Sequence, residues 1–339
     1  MTTAGRIVIV GATGSSHIGG SLMRAAHKLS IEAELCDVNL AWHRGTLSQR
    51  LLWHFGGRRP VALNSFSNSF LELCNRFEPD MVVTTGMAPL HVKAIRACRE
   101  LGIRCVNYST DDPFNPQHRA RWFLAALKKY DVVFTPRRSN ERELLAHGCR
   151  RVSYLPFGYD PDLFFPSDGT EESNGSDLFF AGVGDKDRVP YLAAAIQSGA
   201  AVRLHGTYWE RYPETRSITR GQADVQTIRR GISACRVALC LVRRSNRDGH
   251  SMRTFEIPAV GACMIVEDTK EHRNIFGEEE ERVIYFRSPK EMVERMRMLL
   301  DDSGERARLG QAVHHWIIAG ANSYADRLKS MIQCNPPSI

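Results

Sequence analysis

The 339-residue chain has few of the features that mark several large classes of protein. No run approaches the roughly 18 uninterrupted apolar residues that a helix needs to cross a bilayer. The opening stretch MTTAGRIVIVGATG leads straight into a strand pattern, without the regions of a secretory signal, so a cytoplasmic protein is expected. Nine cysteines are present, but no two form a Cys-x-x-Cys pair; the nearest, Cys235 and Cys240, have four residues between them. That spacing argues against structural zinc and disulfides and leaves the thiols as small buried hydrophobes. No tyrosine has a lysine four positions on, so the Tyr-x3-Lys pair usual in NAD-dependent sugar epimerases and reductases is missing. No internal repeat is visible, and biased composition is confined to one stretch.

With 43 % hydrophobic residues the chain can fill two cores of ordinary size. Its net charge of +7 is unevenly placed: residues 1–155 carry 21 Lys and Arg against 12 Asp and Glu, and residues 156–339 carry 24 against 26. The first half therefore favours an anionic partner such as a phosphate-bearing acceptor or a membrane surface, unless the charges are merely solvated. Nucleic acid is not expected as a partner.

Short β-rich runs (RIVIV, AELCDV, DMVVTT, IRCVNYS, DVVFTP, RVSYLPF) alternate with amphipathic segments such as LMRAAHKL and HVKAIRACREL. This is the pattern of βαβ units and a parallel sheet. A stretch rich in Pro, Gly, Ser and acids, 156–176, reads as a linker. A second α/β series follows it: LFFAGV, AVRLHG, VALCLV, CMIVED and RVIYF. The expected organisation is an N-terminal Rossmann-like domain over 1–155, the linker, a second Rossmann-like domain over 177–320, and a C-terminal helix and tail over 321–339. Two doubly wound α/β domains facing a cleft, joined by a hinge, are the expected architecture, with the chemistry at the carboxyl ends of the strands.

The densest candidate is Arg243–Asp268, where Asp248 and Glu256 are separated by seven residues in a loop entering a helix. Paired carboxylates accept hydrogen bonds from vicinal hydroxyls, and helix amides face phosphate, which suits a nucleotide sugar. Arg243, Arg244 and Arg253 add charge suited to a diphosphate. The plainer alternative is that Glu256 pairs within its helix and the arginines are solvated.

Taken together, LFFAGVGDKDRVPYLAAAI, VRLHGTYW, TRGQADVQTIRRGISACRVALCLV, DGHSMRTFEIPAVGACMIVEDTKEHRNIF and SPKEMVERMRMLLDD resemble the C-terminal domain of CgeB-like glycosyltransferases. The resemblance implies the GT-B fold and transfer of a sugar from a nucleoside diphosphate sugar to a hydroxyl, without metal, leaning towards retention at the anomeric carbon, in synthesis of bacterial surface polysaccharide or glycoconjugate. In the wider group a Glu-x7-Glu motif holds the donor sugar with its first acid and the ribose with its second. Carried over, Asp248 takes the sugar and Glu256 the ribose, with Asp in place of Glu at the first position. In AGVGDKDR, Gly182 and Gly184 would admit phosphate, while Lys186 and Arg188 would neutralise the leaving diphosphate. His205 and Gly221 lie in segments that contact the base in that group, although Tyr208 and Trp209 beside them suit packing equally.

In the first half the best anchor is STDDPFNP, whose Asp111 and Asp112 could bind the acceptor or act as base, or could cap the helix that follows. Thr85 and Gly86 end another strand. The stretch GATGSSHIGG, Gly11–Gly20, fails the Gly-x-Gly-x-x-Gly spacing of a dinucleotide site, and Asp37 is a loose match to the ribose-binding acid. It resembles instead the first glycine loop of some GT-B transferases, Gly-x-Thr-Gly-x-His-Ile, with one extra residue before His17. That likeness makes Gly14 a donor-side contact and His17 a base, against a capping or solvated histidine. The basic stretch 42–60 places Leu47, Leu51, Leu52 and Phe55 at helical spacing beside Trp53, with Arg44, Arg50, Arg58 and Arg59 around them. Such a segment rests on an anionic membrane at the inner face or on a lipid-linked acceptor, or packs its stripe on the sheet. A non-catalytic sugar-binding protein, an NAD-dependent epimerase or reductase, and a sugar-nucleotide epimerase or hydrolase of the same fold are the alternatives.

Overall fold

Ile7, Val8, Ile9 and Val10 have no exposed surface, although they are consecutive and a strand turns successive side chains to opposite faces. Only a sheet covered on both sides removes all four from water. The computed structural model describes residues 5–14, 17–42, 46–117, 119–167 and 175–334. Arg44 and residues 168–174 of the expected linker lie outside the described residues.

The chain divides into two units, Met1–Pro156 with Ser245–Arg247 and Tyr324–Ile339, and Phe157–Arg244 with Asp248–Ser323. In the first, β1 (Arg6–Gly11), β2 (Glu32–Asp37), β3 (Met81–Thr85), β4 (Arg104–Tyr108), β5 (Val132–Thr135) and β6 (Val152–Tyr154) form one parallel sheet in the order β2-β1-β3-β4-β5-β6. Its helices are α1 (Ile18–Lys28), α2 (Leu47–His54), α3 (Leu63–Phe77), α4 (Val92–Glu100), α5 (Arg121–Leu127) and α6 (Arg138–Ala146). Val8 and Val10 of β1, Phe70 of α3 and Phe123 and Leu127 of α5 meet in its core.

The second unit holds β7 (Leu178–Ala181), β8 (Val202–His205), β9 (Val237–Cys240), β10 (Met264–Glu267) and β11 (Ile284–Phe286), again all parallel, in the order β11-β10-β9-β7-β8. Between and after them run α7 (Val189–Gln197), α8 (Val225–Ala234), α9 (Arg253–Val260), α10 (Lys270–Phe276), α11 (Pro289–Asp301) and α12 (Ser303–Ala319). Asp224, Ser288 and Asp302 cap α8, α11 and α12 by accepting from amides in their first turns. All nine cysteines are free thiols. No described helix is long and apolar enough to cross a membrane.

The last helix, α13 (Tyr324–Gln333), belongs to the first unit, far in sequence from the rest of it. It lies against α1, burying Leu328 and Met331 completely. The Arg104 guanidinium, on β4, donates to the carbonyls of Met331, Ile332 and Cys334, which the end of a helix leaves without partners. Arg327 Nε donates to Pro156 O at 2.9 Å. Replacing Leu328 by Ala should lower the unfolding free energy of this unit by about 2–5 kcal/mol in a urea titration, through lost burial and the cavity left behind. A smaller loss than about 1 kcal/mol would show that α13 contributes little to its stability.

Candidate active site

In each sheet the strand order reverses once, between β1 and β3 in the first unit and between β7 and β9 in the second. Loops leaving in opposite directions at such a point open a crevice at the carboxyl ends of the strands, where doubly wound sheets bind their ligands. Most of the candidate residues sit on those loops.

In the second unit the loop after β7 and the loop after β9 are strapped together by Arg188. Its guanidinium is buried and donates to Val183 O (3.0 Å), Val242 O (3.2 Å) and Leu241 O (3.4 Å), with Asp185 Oδ2 at 3.8 Å. Burial lowers its pKa. The arginine expected to meet the diphosphate is thus committed to main-chain carbonyls, and Lys186, exposed two residues earlier, is the cation left on the surface of this loop. Gly182 and Gly184 also differ from expectation. Their amides donate to His205 O (3.0 Å) and Thr207 O (2.8 Å), so they are spent on the neighbouring loop and not open to a phosphate. Glycine is needed there for close approach: a Cβ on Gly184 would lie 2.9 Å from Trp209, and one on Gly206 1.8 Å from Gly182 O. Two Asp-x-Asp triplets, Asp160–Asp162 and Asp185–Asp187, each use their first carboxylate to accept from the amide of the second aspartate (3.1 and 2.9 Å). Among the described residues no three His, Cys, Asp or Glu side chains gather as a metal site.

His205, the last residue of β8, is buried, and its burial, followed by the charges of Arg220 and Arg203, lowers its pKa, so the imidazole is neutral at pH 7. Gly221, with φ +71°, accepts the Gly206 amide at 2.8 Å and shapes the same edge. Trp209 is wholly buried and donates its indole N–H to Gly182 O, so it is a core residue, whereas Tyr208 is exposed beneath the Arg211 guanidinium.

The loop after β9 places Asp248 with its carboxylate 3.8 Å from Arg243 Nε. Glu256, in the first turn of α9, is almost wholly buried and forms an ion pair with Arg253, one turn before it. Arg253 Nε also donates to Ala181 O at the end of β7 (3.3 Å), which ties α9 to the β7 strand end. Asp248, Glu256, Arg243 and Arg253 are thus brought to one end of one sheet, with the intrahelical pairing of Glu256 realised as well.

Two features of this end escaped the sequence reading. Glu267 closes β10 and accepts from Val242 N (3.1 Å) and from Arg244 Nε (2.9 Å), while Arg244 reaches Tyr191 OH (3.0 Å). An acid as the last residue of an otherwise apolar strand was the available signal. Below it His272 is wholly buried, with Nδ1 2.7 Å from Glu267 O and Nε2 2.9 Å from Thr254 Oγ1 of α9.

In the first unit the loop after β1 turns at Gly14 (φ +125°), whose carbonyl accepts the His17 amide at 3.2 Å. His17 is the exposed N-cap of α1 and makes no side-chain capping bond. Asp37, the loose match to a ribose-binding acid, accepts from Thr13 Oγ1 (2.8 Å) and from Asn39 N (3.0 Å), so it braces the glycine loop. Asp112, expected as base or acceptor ligand, is buried and saturated. It accepts from Phe114 N and Asn140 Nδ2 (both 3.0 Å) and from Arg247 Nε (2.6 Å) and Nη2 (2.9 Å). Burial raises its pKa, and these donors, led by Arg247, outweigh that and lower it. A carboxylate so held is a poor proton acceptor, and its role is to anchor Arg247, which Glu143 also binds. Asp111 is half-buried beside it. Helix α5 starts from Ala120 without a side-chain cap, so neither acid caps it. Arg137, buried, donates to Thr110 O (2.7 Å) and Asn246 O (3.0 Å) and fixes the same loop; nothing local in the sequence marks Arg137 or Arg247.

Residues 188–333 match the family described as glycosyl transferase-like. The chain is similar to sucrose-phosphate synthase from Thermosynechococcus elongatus, with 13% identity, a TM-score of 0.70, and coverage of 96% of this chain and 98% of that one. The chain has the GT-B fold. It is also similar to Anabaena Alr3699/HepE in complex with UDP-glucose (13% identity, TM-score 0.65, 96% and 98% covered). A putative UDP-N-acetylglucosamine 2-epimerase from Listeria monocytogenes is similar as well (13% identity, TM-score 0.56, 98% and 96% covered). No curated protein matches the chain by sequence. The expected α/β class with two Rossmann-like units is therefore observed.

His272 generates a prediction for this region. Burial pushes its pKa down to about 4, against 6.5 for an ordinary histidine. Between these values the unfolded chain binds a proton that the folded chain does not, so stability falls as pH drops from about 6.5 to 4 and levels off below. In urea titrations across this window the GT-B chain should lose stability by a few kcal/mol at most, and His272→Gln should flatten the slope. An unchanged slope would assign the acid sensitivity to other groups.

Proposed function

We propose that this GT-B chain is a glycosyltransferase of the CgeB-like kind that moves a sugar from a nucleoside diphosphate sugar to a hydroxyl acceptor, with retention at the anomeric carbon. The observation that carries the reading is the gathering of Asp248, Glu256, Arg243 and Arg253 at the carboxyl end of the second sheet, within the stretch that matches the glycosyl transferase-like family. Asp248 accepts from the sugar hydroxyls and Glu256 from the ribose. Lys186, Arg243 and Arg253 balance the diphosphate in place of a metal, a charge-stabilising role for groups fixed before reaction. In the reaction the bond from the anomeric carbon to the diphosphate oxygen breaks, its electron pair leaves on the nucleoside diphosphate, and the acceptor oxygen bonds to carbon. The acceptor proton passes to a base, and His17 is our candidate because it is exposed and Asp112 is occupied.

Thermal-shift measurements with UDP, GDP, ADP, dTDP and NAD(P), followed by product analysis on the donor sugars, test this. A nucleoside diphosphate should stabilise the protein, and transfer or donor hydrolysis should follow. Glu256→Gln should weaken nucleoside diphosphate binding by about 1.5–3 kcal/mol through loss of a charge-assisted bond, and Asp248→Asn should lower turnover more than affinity. Stabilisation by NAD(P) alone would overturn the reading. Binding without turnover on any donor would make the chain a binding protein, and release of a sugar epimerised at C2 would make it a sugar epimerase.

A further inference from the structure

Helix α2 is built inside out. Its buried residue is Gln49, which binds Val61 N (3.0 Å) and Arg59 O (3.4 Å), while Leu47, Leu51 and Phe55 are 73%, 51% and 86% exposed. Those three stand at i, i+4 and i+8 and therefore share one face. The same spacing places Arg50 and His54 along the edge of this ridge, and both are exposed. The stripe does not pack on the sheet.

The surroundings are basic. From Val38 to Leu71, 34 residues, the chain has no Asp or Glu, and none occurs from Pro113 to Tyr130. These two segments meet. Arg58 donates to Pro116 O and Arg119 O (both 2.7 Å), Trp122 donates to Arg58 O (3.0 Å), and a cavity of 650 Å³ between them is lined by Trp53, His54, Arg58, Arg119 and Arg121. Among the described residues no carboxylate forms an ion pair with Arg50, Arg58, Arg59, Arg119 or Arg121, although Arg6, Arg76 and Arg99 of the same unit each have one.

We propose that this face docks on an anionic phospholipid surface. An apolar ridge that remains in water on a folded chain marks an interaction surface, and the charge beside it selects the occupant. Leu47, Leu51 and Phe55 enter the boundary between headgroups and acyl chains, and Arg50, Arg119 and Arg121, which no carboxylate pairs with among the described residues, meet lipid phosphates. A second copy of the chain would set arginines against arginines, which disfavours it.

Sedimentation of the full chain with sucrose-loaded vesicles tests this, using phosphatidylcholine alone and phosphatidylcholine mixed with phosphatidylglycerol. The protein should sediment with the mixed vesicles, at least tenfold more than with phosphatidylcholine alone, and added salt should release it. Leu51→Ser with Phe55→Ser, and separately Arg50→Glu with Arg121→Glu, should each reduce binding at least tenfold with unchanged melting temperature, because all four side chains are exposed. The proposal is overturned if the wild type stays in the supernatant with the mixed vesicles, or if both double variants sediment as it does. It is also overturned if sedimentation equilibrium without lipid shows a dimer that Leu51→Ser with Phe55→Ser dissolves.

Discussion

The donor-side geometry depends on one buried cation. Arg188 has little access to water, and its nearest carboxylate is 3.8 Å away, so its charge is compensated mainly by the carbonyls of Val183, Leu241 and Val242. A buried charge tolerates few arrangements, since each lost bond leaves an uncompensated group. Because the carbonyls belong to the loops after β7 and β9, those loops cannot separate without exposing or stranding the guanidinium. Everything proposed to touch the donor hangs from them: Lys186 on one side, Arg243 and Asp248 on the other, with Arg253 and Glu256 braced against the end of β7 through Ala181 O. The nested glycines 182, 184 and 206 allow the third loop, after β8, to close against the first.

Much of the fold was legible because parallel sheets write themselves as apolar runs of four to six residues, and RIVIV, LFFA and VALC lie in strands as expected. The loops were legible for the same reason, since chemistry collects where such runs end. The roles of individual residues were less so. Arg188 at a helix start reads identically whether its guanidinium turns to a phosphate or to the carbonyls of a distant loop, Leu241 and Val242. Asp112 was recognisable as a loop acid, but its partner Arg247 is 135 positions away, and no local spacing reports such a meeting. In α2 the helical period was plain, while which face the helix turns inward is decided by what Gln49 can bond to, a tertiary fact.

The two units manage buried charge in different ways. The first holds Asp112 by a guanidinium that Glu143 shares, so that both carboxylates stay ionised. The second keeps His272 neutral by burying it completely, an effect that outweighs the carbonyl of Glu267, which favours the charged form. Acid therefore attacks them at different pH: the histidine resists protonation first, and the paired carboxylates yield only below the ordinary carboxylate range.

The placement of α13 reaches beyond the folded molecule. A chain leaves the ribosome from its N-terminus, so β1 to β6 emerge long before α13, the helix that lies against α1. Until then the part of α1 that α13 lies against stays open to water. The second unit, apart from the three residues Ser245–Arg247, is contiguous in sequence and complete by Ser323. During synthesis the order of completion is therefore the reverse of the order of appearance, and a chain cut short after α12 would carry a finished second unit on an unfinished first one.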